Sequence, residues 1–83
     1  MVNMNKLILE TQQYLEYIIS NLNIPVINYS CSSIDEILII KIVLKNNSVF
    51  TQSINFKGLE LEECYIHYDS CMMKFLYKIQ NER

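Results

Sequence analysis

Ile37-Leu38-Ile39-Ile40-Lys41-Ile42-Val43-Leu44 decides how this chain folds. Seven of its eight residues are apolar, five are β-branched, and one lysine interrupts the middle. Branched side chains lose rotamer freedom in a helix and pack well on a pleated surface, so the run predicts a strand. A strand with one wet face alternates apolar and polar residues. This run is apolar on both sides. Either both faces of its sheet are covered, or one face waits for a partner.

The neighbouring residues turn the run into a hairpin. Glu36–Lys45 and Val49–Phe56 read as strands joined by Asn46-Asn47-Ser48. A two-residue loop would set Leu44, Ile42 and Ile40 against Val49, Thr51 and Ser53. A three-residue loop sets Leu44 against Phe50, Ile42 against Gln52, Ile40 against Ile54 and Leu38 against Phe56. One residue of slip sends every side chain to the other face. The three-residue loop builds one nearly apolar face and is preferred, with Asn47 or Ser48 bending the chain. The second face then holds Ile37, Ile39, Lys41 and Val43 beside Val49, Thr51, Ser53 and Asn55. Upstream, Pro25–Cys31 predicts an edge strand with Ile27, Tyr29 and Cys31 towards the core, because proline suits the start of an edge. Ser32-Ser33-Ile34-Asp35 has turn chemistry.

Helical spacing brackets these strands. Met4, Ile8, Leu15, Ile18 and Leu22, widened by Leu7, Tyr14 and Ile19, form one stripe, with Asn3 as a candidate N-cap. Asn23 and Pro25 end that helix. After Lys57-Gly58, the segment Leu59–Gln80 reads two ways. One is a strand over Glu63–Asp69 with a helix from Cys71. The other is a single helix with Leu61, Cys64, Tyr65, Tyr68, Cys71, Met72, Phe75, Leu76 and Ile79 on one face. The periodicity runs unbroken across Asp69-Ser70, which favours the single helix.

The expectation is one α+β domain over residues 1–83, order α-β-β-β-α. It has a three-stranded antiparallel sheet with both helices packed on one face. This order resembles the double-stranded-RNA-binding domain. That family carries a lysine-rich motif where its last helix begins. The matching stretch here, Gly58-Leu59-Glu60-Leu61-Glu62-Glu63, is acidic and would repel phosphate. The resemblance therefore implies an arrangement of elements and not RNA binding.

Composition narrows the class. Eighty-three residues with a hydrophobic fraction of 51% and a charged fraction of 19% can bury a core, though a small one. Only Met1–Asn3 and Asn81–Arg83 are expected to fray. A net charge of −2 with dispersed lysines lacks the basic footprint of a nucleic-acid binder. No apolar run reaches the ~20 residues of a spanning helix, and no signal pattern opens the chain. Three cysteines without a Cys-x-x-Cys pair predict reduced thiols and a cytoplasmic setting. Thirteen isoleucines and nine asparagines, with no alanine, point to an AT-rich genome.

Signs of catalysis are thin. Cys64-x-x-His67-x-x-x-Cys71 puts three soft ligands on one helical flank, but zinc wants four, and two buried thiols beside a surface histidine account for the pattern. Glu60, Glu62, Glu63 and Asp69 surround these thiols and oppose a reactive thiolate. Three of those carboxylates complement a helix N-terminus instead. One glycine cannot build a phosphate-cradling loop. No enzyme activity, metal or cofactor is expected.

What remains is contact. Ile37, Ile39, Lys41 and Val43 on the second sheet face, and the stripe Ile66, Met73 and Tyr77 on the last helix, are the expected partner-binding residues. Small acidic proteins of AT-rich phages, including anti-CRISPR and other anti-defence inhibitors, are similar in size and composition. They imply a protein partner in the host-cell cytoplasm. A homodimer or larger homo-oligomer joined through the sheet face is the alternative.

Overall fold

A computed structural model describes residues 2–82. Its elements are α1 (Met4–Asn21), β1 (Val26–Ile34), β2 (Ile37–Leu44), β3 (Val49–Asn55) and α2 (Leu61–Glu82). The sheet is antiparallel, ordered β1-β2-β3. The chain thus has the expected α+β order. β2 lies in the centre, and Leu38, Ile40, Ile42 and Leu44 are at most 1% exposed. Both helices cover that face, α1 packing on β1 and α2 on β3. One cluster of buried side chains joins all five elements. Among the described residues, no helix is long and apolar enough to cross a membrane.

The hairpin has the expected loop length but not the expected partners. Ile42 lies opposite Phe50, Ile40 opposite Gln52 and Leu38 opposite Ile54. The three loop residues are Lys45, Asn46 and Asn47. The N–H of Asn47 donates to the Leu44 carbonyl and that of Leu44 to the Ser48 carbonyl, both at 2.9 Å. Asn47 takes the left-handed conformation at φ 69°, which asparagine tolerates better than serine. The Asn46 side chain accepts from the Ser48 N–H at 2.9 Å. The turn therefore starts one residue earlier than predicted and shifts each partner by two, an even shift that preserves the faces.

β1 departs further from its prediction. It runs on through Ser32-Ser33-Ile34, and the turn is Asp35-Glu36, with Asp35 at φ 53°. A bulge between Val26 and Asn28 reverses the strand's first residues. Val26 packs against the core, and Ile27, expected inside, is 58% exposed. An extra residue in one strand rotates whatever precedes it.

The helices follow their stripes with local corrections. Asn3 caps α1, its side-chain oxygen accepting from the Lys6 N–H at 3.2 Å. Thr11 is fully buried, while Tyr14 and Leu22 are each 40% exposed. α2 is one unbroken helix. The Glu63 carboxylate accepts from the Glu60 N–H at 3.1 Å, half of a capping box. Leu61 and Tyr65, expected inside, are 46% and 49% exposed because the core face centres on Cys64, Met72, Phe75 and Ile79. The expected fraying is absent at Val2, which is buried, and at Asn81 and Glu82, which α2 includes. Met1 and Arg83 lie outside the described residues.

Gly58 sits at φ +80°, and a Cβ there would meet nothing within 4 Å. Gly58→Ala should therefore cost only the left-handed backbone penalty, about 1 kcal/mol. Urea denaturation would check it; a loss above about 3 kcal/mol would mean a steric clash instead.

Candidate partner interface

The outer sheet face is built by register alone. Four rungs cross it: Asn28–Val43–Val49, Ser30–Lys41–Thr51, Ser32–Ile39–Ser53 and Ile34–Ile37–Asn55. Lys41 is the single charge among these twelve positions. Ile37, Ile39 and Val43 are half-buried and Lys41 is exposed. Serines flank Ile39, and Ser30 and Thr51 flank Lys41, so small hydroxyl side chains surround the one charge in the middle of the platform. Branched apolar residues stand at its two ends. Ile34, 63% exposed, belongs to this face. It was missed because its strand was expected to stop at Cys31, although the alternation of Ser30, Ser32 and Ile34 was there to read.

The second expected stripe does not act as one surface with the first. The helices cover one side of the sheet, so α2's outward residues and the rungs lie on opposite sides of the molecule. Ile66, Met73 and Tyr77 are all about 70% exposed. Seven and four residues apart on one continuous helix, they share an outward face of α2. Ile66 borders an open pocket of about 490 Å³ where α2 meets the end of β3, beside Asn55, Lys57, Glu63 and His67. Met73 borders a groove of about 450 Å³ between the two helices, with Tyr14, Tyr68 and Met72.

That groove has a fastened floor. The hydroxyls of Thr11 and Tyr68 share a hydrogen bond of 2.8 Å that ties α1 to α2. Burial pushes the Tyr68 phenol above its ordinary range, the Thr11 hydrogen bond opposes the shift, and Cys31, Tyr14 and Asp69 add to it. Burial likewise pushes the Cys31 thiol up, again opposed by Thr11. Thr11→Val keeps the shape but strands the Tyr68 hydroxyl, so it should lower stability by about 1–2 kcal/mol. Adding Tyr68→Phe should recover part of that loss in a double-mutant cycle followed by urea denaturation. Purely additive losses would mean the bond contributes nothing.

The Cys64–His67–Cys71 cluster is divided by the helix. Cys64 turns inward, its Sγ 3.9 Å from the Leu59 carbonyl. Cys71 Sγ lies 3.8 Å from both ring nitrogens of His67, whose ring also meets Phe56 edge-on at 6.1 Å. A sulfur equidistant from both nitrogens is not aimed at either lone pair. No group of three or more His, Cys, Asp or Glu among the described residues is placed to hold a metal ion. At the β1 edge, Tyr29 donates to the Glu16 carboxylate at 2.7 Å. That bond raises its phenol pKa, with burial second.

Compared with protein-family models, curated protein sequences and solved structures, the chain matches none.

Proposed function

We propose that this protein is a non-enzymatic binding module that occludes or assembles a partner protein through the outer face of its sheet. One observation carries the reading: twelve positions on a solvent-facing sheet with a single charge. With strands ~4.8 Å apart and a rise of ~3.4 Å per residue, the platform spans on the order of 400 Å². Five of its twelve residues are apolar, the mixed character usual for a non-obligate interface. The platform is about half of what one partner contributes to a standard interface, so contact would extend past its margins.

Lys41 bears on which partner fits. It lies near the centre of the platform, and a two-fold packing of two such faces would bring two lysines together. Like charges meeting at an interface cost several kcal/mol. A different protein offering a carboxylate opposite Lys41 avoids that cost. Small size, acidity and a composition rich in isoleucine and asparagine without alanine support one setting, an inhibitor of a host defence system encoded by a phage or mobile element, similar to anti-CRISPR proteins. A homo-oligomer through the same face is the second reading, favoured by the limited core of so short a chain.

Light scattering separates the two. The expected result is a monomer; a dimer that Ile39→Glu dissociates would replace the first reading with the second. Affinity capture from a bacterial host lysate should lose its partner with Lys41→Glu as bait and keep it with Tyr77→Ala. If both baits retain every captured protein, the sheet face is not the contact.

A further inference from the structure

We propose that the groove between α1 and α2 is an anchor site for an arginine side chain of a partner protein. The proposal rests on the reading of the chain as a binding module, but it concerns a separate surface. At about 450 Å³ the groove takes one large side chain rather than a whole helix. Tyr14 from α1 and Met73 from α2 form its accessible walls, 40% and 70% exposed. Met72, 2% exposed, and Tyr68 form its floor. Glu10 on one helix and Asp69 on the other supply carboxylates from opposite sides, and among the described residues no lysine or arginine lines it.

The sign of the charge selects the occupant. With Glu10 on one wall and Asp69 on the other, the lining disfavours further negative charge. A cation is favoured there. Lys6 approaches Glu10 at 3.9 Å, but both side chains are more than half exposed. Such a surface pair is worth at most about 1 kcal/mol, so a better-placed cation can displace it. An aliphatic anchor would desolvate two carboxylates with nothing in return.

Arginine suits the lining better than lysine. Its planar guanidinium stacks on a tyrosine ring and presents five donors, enough to reach carboxylates on both walls. Its stem lies on methionines, which adapt to irregular surfaces. The Tyr68 hydroxyl is engaged with Thr11, so the floor offers a ring to stack on.

The full-length, ¹⁵N-labelled protein would be titrated at low salt with Nα-acetyl-arginine-N-methylamide, with its neutral isostere, the citrulline derivative, and with the leucine derivative. The arginine compound should give saturable shifts at Glu10, Tyr14, Asp69 and Met73. The citrulline compound should bind at least tenfold more weakly. Glu10→Gln and Asp69→Asn, both at exposed positions, should stay folded and each weaken the arginine response several-fold. A response that does not saturate, an equal response to citrulline, or indifference to both variants would overturn the assignment. A stronger response to the leucine derivative would replace it with an apolar anchor. None of these failures touches the sheet-face reading, which Lys41→Glu and Ile39→Glu test on the opposite side.

Discussion

Ile40→Asp is expected to leave the chain unfolded at neutral pH, whereas Ile39→Asp, one residue away, should leave it folded. Ile40 is 0% exposed beneath the helices, and Ile39 faces outward between two serines. Losing the buried isoleucine forfeits roughly 1.5–3 kcal/mol of burial. An unpaired carboxylate in its place costs several more, either as a buried charge or as the work of keeping it protonated. An 83-residue domain has a net stability of only about 4–12 kcal/mol. The sum at position 40 consumes most or all of that, while at position 39 water still reaches the carboxylate. The sign with pH follows. An aspartate whose pKa rises on folding costs least in acid and most above its raised value, so any residual fold of Ile40→Asp should improve as pH falls. Far-UV circular dichroism with urea denaturation would decide it; equal losses at both positions would mean the sheet has no free face.

The same alternation explains how much of the fold could be read before the structure. The run Ile37–Leu44 showed two apolar faces, and one of them is plain core. Parity survived the hairpin error because the faces depend on odd or even shift, and the shift was two. At β1 it failed locally, since a bulge inserts one residue and leaves no signature in Val26-Ile27-Asn28. Helical periodicity placed the stripe of α2 but overestimated its width, putting Leu61 and Tyr65 inside. A helix on a three-stranded sheet buries a narrower stripe than one surrounded by partners. The groove was illegible for another reason. Glu10, Tyr14, Asp69 and Met73 come together only through the packing of two helices with 39 residues of chain between them. Thr11 gave the least warning of all. A threonine inside an apolar stripe looks like an interruption, and here it is the hydroxyl that joins α1 to α2.

Thiol chemistry gives the last large effect. Cys71, half-buried beside His67, should be alkylated in the native protein, while Cys31 and Cys64 should react only when the chain opens. If opening is global, the populated fraction is on the order of 10⁻³ to 10⁻⁶, so the two buried thiols should lag by at least about a thousandfold. Cys31 carries a second protection, because burial raises its pKa and the thiolate is the reactive form. That shift also fixes a pH dependence. The unfolded thiol loses its proton before the folded one, so the unfolded state binds fewer protons as pH rises. The stability contributed by protonated Cys31 is complete below about pH 8.5 and declines as pH climbs through the folded value. Tyr68 acts in the same direction from about pH 10, since its folded pKa is raised as well. The melting temperature should therefore fall from about pH 8.5 upward, and less steeply in Cys31→Ser. Pulsed alkylation read by mass spectrometry would rank the three thiols. Labelling of Cys31 as fast as Cys71 would show that the layer between α1 and β1 opens without global unfolding, and the core would then be two units rather than one.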